Sequence, residues 1–127
     1  MQKSEGSSKA KMILGGRYLS MWHKGTMMDL PFEGQQITGY DNFKKIYMSF
    51  WIDTMGTGFY LTEGKSDKTG KIRTEKGLWD DFMTGGKQKV KLVYTIIDKD
   101  TFTMEMFMVL PDGKDFKNMI IKYMRKK

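Results

Sequence analysis

The feature that most restricts how this chain can fold is an alternation of apolar and polar residues with a period of two. Ile46, Met48, Phe50 and Ile52 alternate with Tyr47, Ser49, Trp51 and Asp53, and Val90, Leu92, Tyr94 and Ile96 alternate with Lys89, Lys91, Val93 and Thr95. A third run places Phe102, Met104, Met106 and Met108 on one face. Successive side chains of an extended chain point to opposite sides, so this pattern gives each segment two unlike faces and excludes helix there. The same segments are rich in β-branched and aromatic residues, which suit a pleated surface.

Turn chemistry separates these runs at regular intervals. Leu14-Gly15-Gly16, Asp41-Asn42, Asp67-Lys68-Thr69-Gly70, Asp98-Lys99-Asp100 and Pro111-Asp112-Gly113 each fall between apolar stretches. Glycine tolerates positive φ, and Asp and Asn hydrogen-bond their own backbone, so these residues reverse a chain at low cost. The expected strands cover residues 7–14, 17–28, 32–40, 46–54, 57–66, 71–79, 88–97, 102–109 and 116–125. The longest loop runs from Asp80 to Lys87. Short strands joined by tight turns make an all-β, antiparallel up-and-down meander. About nine of them can close into a barrel or stop at an open half-barrel.

A chain of 127 residues is one domain, with residues 1–6 read as a flexible N-terminal arm. Without cysteine it has no disulfide or thiolate metal site, and one histidine cannot build a His-rich centre. No metal or cofactor is therefore expected. The formal charge of +7 comes mostly from the ends. Lys3, Lys9, Lys11 and Glu5 with Lys122, Arg125, Lys126 and Lys127 account for +6, leaving +1 for residues 13–121. Lysines number 19 against 3 arginines, whereas phosphate and base recognition favours the planar guanidinium. Nucleic acid is not an expected partner. The polar segment from Met1 to Lys11 lacks the apolar run of a signal peptide or membrane span, so the default is a cytoplasmic protein with no membrane partner.

Several motifs in order carry a resemblance. They are Met12-Ile13-Leu14-Gly15-Gly16-Arg17-Tyr18-Leu19, Pro31-Phe32-Glu33-Gly34, Gly39-Tyr40-Asp41-Asn42, Trp51-Ile52-Asp53, Met83-Thr84-Gly85 and Pro111-Asp112-Gly113-Lys114-Asp115-Phe116-Lys117. Over residues 7–125 the chain resembles the bacterial family called domain of unknown function 1579. The resemblance implies a lipocalin-like (calycin-like) antiparallel barrel and brings no established activity with it. Members of that family usually begin with a further strand of Gly-Glu-Trp type, which is missing here. A barrel short of one strand exposes an edge, so a homo-oligomer, most simply a homodimer, that covers the edge is expected, unless the N-terminal arm does so.

Candidate chemistry centres on two strand faces. Tyr47, Ser49, Trp51 and Asp53 share one, which would suit a small ligand if it points inward. The opposite assignment makes it an outer face, with Ile46, Met48, Phe50 and Ile52 inside. Arg17, Leu19, Met21 and His23 share another, where Arg17 would meet an anionic ligand or pair with Asp53. His23 has no identifiable nucleophile beside it, and Glu33, Asp53, Glu63 and Glu105 show no spacing that fixes a carboxylate pair, so no catalytic residues are assigned. Thirteen methionines either fill the core or line an adaptable apolar pocket. The expected function is binding of a small hydrophobic or amphipathic ligand by Arg17, His23, Tyr47, Trp51, Asp53 and Met106. A ligand-free homo-oligomer is the alternative, and the chain is not expected to be an enzyme.

Overall fold

A computed structural model of the chain describes residues 5–81 and 83–126. These form the nine strands β1 (Gly6–Ile13), β2 (Tyr18–Met27), β3 (Leu30–Asp41), β4 (Ile46–Asp53), β5 (Tyr60–Ser66), β6 (Ile72–Asp80), β7 (Lys87–Asp98), β8 (Thr101–Val109) and β9 (Asp115–Met124). Every strand pairs antiparallel with its neighbour in sequence, giving one sheet in the order β1 to β9. The sheet curls strongly into a half-barrel, as the meander predicts. Among the described residues β1 pairs only with β2, and β9 only with β8. Residues 1–4 of the expected arm lie outside the described residues, and Gly6 already belongs to β1.

The expected boundaries hold to within a residue or two, with β5 as the exception. It begins at Tyr60 rather than at residue 57, because Asp53 ends β4 by accepting from the Met55 amide (2.8 Å) and the Gly56-Thr57-Gly58 stretch follows. Turns behave as their residues dictate. Asp41 accepts from the amides of Phe43 (2.8 Å) and Lys44 (3.0 Å), and Asp67 accepts from the Thr69 hydroxyl (2.7 Å). One reversal carries no such signal. Met28 and Asp29 alone connect β2 to β3, at φ of 51° and 63°, the pair of positive φ values that a type I′ hairpin requires.

Register decides which residues face inward. Met21, Thr38, Ser49, Thr62, Glu75, Val90 and Leu92 are buried and fall on the concave face. Near the end of the sheet an extra residue in β9 shifts the pairing, so that Phe107 faces Lys117 but Met106 faces Met119. This bulge turns Met119, Ile121 and Tyr123 toward the concave side while Lys117 stays outside with Glu105 (2.7 Å).

Because a non-glycine residue in the left-handed region costs about 1–2 kcal/mol, the Met28-Asp29 turn is strained where Asn-Gly would not be. The double substitution Met28→Asn and Asp29→Gly is expected to stabilise the fold by about 1 kcal/mol, read from urea unfolding at unchanged m-value.

Candidate functional site

At the centre of the concave face lies a carboxylate with no exposure to solvent. Glu75 accepts from the Thr62 hydroxyl (2.7 Å) and the Ser49 hydroxyl (3.2 Å), and its Oε2 lies 2.7 Å from Arg73 Nε. Ser49 has a single proton and spends it on the carboxylate, so the 2.8 Å contact between Thr38 and Ser49 has Thr38 as donor. Hydroxyls from β3, β4 and β5 thus run in a chain to an acid on β6. Gly64 stands opposite Glu75, where a Cβ would come within 1.8 Å of the Thr74 carbonyl oxygen. The β5 to β6 approach at this point needs glycine.

The Arg73 guanidinium stacks over Tyr94 (4.2 Å) and beside Tyr47 (5.2 Å). Its Nε is buried and close to Glu75 without pointing along a hydrogen-bond line, so the pair is held by charge and by the rings around it. Tyr94 accepts at its phenol oxygen from the Gln36 amide (2.6 Å), a contact from β7 back to β3 across the hollow. Burial pushes the Tyr94 phenol above its ordinary range, with the Glu75 charge adding to that shift and the Gln36 bond opposing it.

A second cluster bridges the open side. His23 on β2 packs against Trp51 on β4 (5.2 Å) and Tyr123 on β9 (5.5 Å), and Tyr123 stacks on Phe102 (4.5 Å). Trp51 donates from Nε1 to Asp53 (2.6 Å), and its ring lies over Gly34, where a Cβ would be 2.2 Å from the indole. Ser8 Oγ sits 2.5 Å from His23 Nδ1, directly across the β1 to β2 ladder. A hydroxyl therefore does lie beside this histidine, which sequence separation concealed. Among the described residues no carboxylate is hydrogen-bonded to the ring, so the pair lacks the orienting third group of a catalytic triad. Desolvation lowers the His23 pKa, and burial raises that of Tyr123 well above its usual range.

The expected site residues divide accordingly. His23, Trp51 and Asp53 come together, Tyr47 reaches Arg73, and Met106 lies on the concave wall between Leu92 and Met119. The inward assignment of the Tyr47, Ser49 and Trp51 face is the one observed, since Ser49 is buried while Met48 is exposed. Arg17 does not join them. It is exposed in the turn before β2, and its pairing with Asp53 does not occur. Tyr18 pairs with Gly39, whereas Asp53 pairs with Gly34, five residues along β3, a separation of about 17 Å. Arg73, Glu75, Tyr94, Gln36 and Tyr123 were not among the candidates.

Among the described residues no group of three or more His, Cys, Asp or Glu could hold a metal ion, and no helix is long and apolar enough to cross a membrane. The fold and its buried polar centre define an antiparallel, barrel-like meander. The chain belongs to the family described as Protein of unknown function (DUF1579), whose model matches residues 1–125. A search of curated proteins finds no match.

Two outcomes test this site. Glu75→Ala leaves Arg73 without its counter-ion and two hydroxyls without an acceptor, and is expected to destabilise the fold by about 3 kcal/mol or more in urea unfolding. His23 supplies a pH dependence of known sign. Above its ordinary value of 6.5 folded and unfolded states are both neutral, so its full contribution is present there. As pH falls through 6.5 the unfolded chain takes up the proton first, and stability declines until the lowered folded pKa is passed. Unfolding midpoints between about pH 7.5 and pH 5 should show this decline, and His23→Gln should flatten it.

Proposed function

We propose that this protein binds a small hydrophobic or amphipathic molecule in the concave trough of the half-barrel. The observation that carries this reading is a wall of apolar side chains on the concave face that the fold leaves half-exposed: Leu19, Phe102, Met104, Met106, Met119 and Ile121. This wall adjoins Arg73, whose side chain keeps 23% of its exposure beside a fully buried Glu75. Methionine supplies a polarizable surface that adapts to the shape of a ligand. The guanidinium provides an anchor for an acidic head group, with Tyr47 and Tyr94 holding it in place. Such a protein needs no oxidising compartment and works in the cytoplasm.

A thermal-shift comparison of decanoate, decanol and decyltrimethylammonium, each below its micelle concentration, tests the reading. At a ligand concentration ten times Kd the stabilisation is about 1.4 kcal/mol, or a Tm increase of about 3–6 °C. Decanoate is expected to give the largest saturable shift, and Met106→Trp, which fills the wall, to abolish it. Absence of a shift with all three compounds, or a shift untouched by Met106→Trp, overturns the reading.

A further inference from the structure

The chain exposes far more surface than its size warrants. A folded monomer of 14.8 kDa exposes about 7,000 Å² by the usual scaling with mass, whereas this one exposes 9806 Å². The excess of about 2,800 Å² per chain exceeds the roughly 800 Å² that each partner contributes to a standard interface and matches one partner's share of a large obligate interface. Among the described hydrophobic residues only Met21, Val90 and Leu92 are buried.

Part of the uncovered apolar surface lies on the convex face of the strands. Ile37, Phe50 and Leu61 stand in register on β3, β4 and β5, and Leu61 is 63% exposed. Leu78 on β6, also exposed, extends the row. They form the floor of an open depression of about 1030 Å³, on the opposite side of the sheet from His23 and Trp51. Around that floor stand Arg17, Lys76, Asp41 and Glu63.

We infer that this convex face docks a second copy of the same chain, forming a two-fold dimer. The rim decides the occupant. It carries two cations and two anions, with Glu63 and Lys76 directly opposite one another on β5 and β6, so a two-fold arrangement can set this pair against that of the other copy with the signs crossed, although the whole chain is at +7. A strongly acidic or basic partner would leave half of the rim opposed by like charge. The sheet edges are less suited to self-pairing. Lys9 and Lys11 lie on β1 and Lys117 and Lys122 on β9, and antiparallel pairing of either edge with its own copy in the register centred on these residues brings lysines face to face.

Sedimentation equilibrium of the full chain, from micromolar to hundreds of micromolar, tests the inference. The wild type is expected at twice the chain mass. Leu61→Glu, at an exposed position, should raise the dimer dissociation constant about thirtyfold or more with the far-ultraviolet spectrum unchanged. Lys76→Glu and Glu63→Lys should each raise it at least about tenfold by placing like charges across the two-fold axis. An equimolar mixture of the two variants should associate as a heterodimer, a recovery that the pairing of Glu63 with Lys76 inside each chain cannot produce. These exposed rim substitutions keep the test decisive if Leu61→Glu fails to fold. A monomeric wild type, a dimer indifferent to Leu61→Glu, or a mixture of the two charge variants that fails to associate would each overturn the inference.

Discussion

The buried carboxylate of Glu75 is the constraint on which the rest of this half-barrel depends. A carboxylate without solvent is tolerable only if its oxygens are engaged, and here Ser49 on β4 and Thr62 on β5 donate to it, Thr38 on β3 donates to Ser49, and Arg73 lies beside it. With Glu75 on β6, this network spans four consecutive strands. A slip of one residue in the β4–β5 or β5–β6 ladder would carry Ser49 or Thr62 to the other face and strand the carboxylate, and a slip between β3 and β4 would part Thr38 from Ser49. Apolar packing could tolerate such a slip more easily, because one aliphatic side chain replaces another at modest cost. The polar centre therefore fixes register where this sheet has little hydrophobic core to do so.

The same constraint orders the aromatic residues. Arg73 cannot approach Glu75 without its guanidinium entering the hollow, where Tyr47 and Tyr94 take it between their rings. Tyr94 in turn holds Gln36 from the far side of the curl, so the ion pair and the curvature support each other. His23 closes the other end by reaching Trp51 and Tyr123 from β2, which draws β9 over the trough without a ladder between β1 and β9. Curvature is thus held by side chains across the concave space, and the outer strands keep their free edges.

Much of the fold was legible in the sequence, because a period of two and Gly, Asp or Asn at the reversals are local signals. The β2 to β3 turn was not, since Met28-Asp29 adopts positive φ without the residues that favour it and is imposed by the two strands it joins. The site was legible where it followed the period, as in the Tyr47, Ser49, Trp51 and Asp53 face. Its centre was hidden because Arg73-Thr74-Glu75-Lys76 has the composition of a solvated edge. The available signal was the placement of Arg73 and Glu75 two apart, hence on one face, in a sheet whose neighbouring strands offer Thr38, Ser49 and Thr62. Arg17 was misplaced for a simpler reason: the expected strand began one residue early and carried a turn residue onto the face of His23.

The two faces of the sheet reverse the usual division of labour. The concave side has a polar centre with apolar walls at one flank, and the convex side has an apolar centre ringed by charges of both signs. An isolated sheet of this kind gains little from burial, with so few hydrophobic side chains removed from water. Each face instead leaves apolar surface in water: half-covered methionines on the concave side, and the row of Ile37, Phe50, Leu61 and Leu78 on the convex side. The bulge in β9 belongs to this division. By turning Met119, Ile121 and Tyr123 inward while leaving Lys117 outside, one extra residue gives the trough its far wall and keeps the outer edge charged.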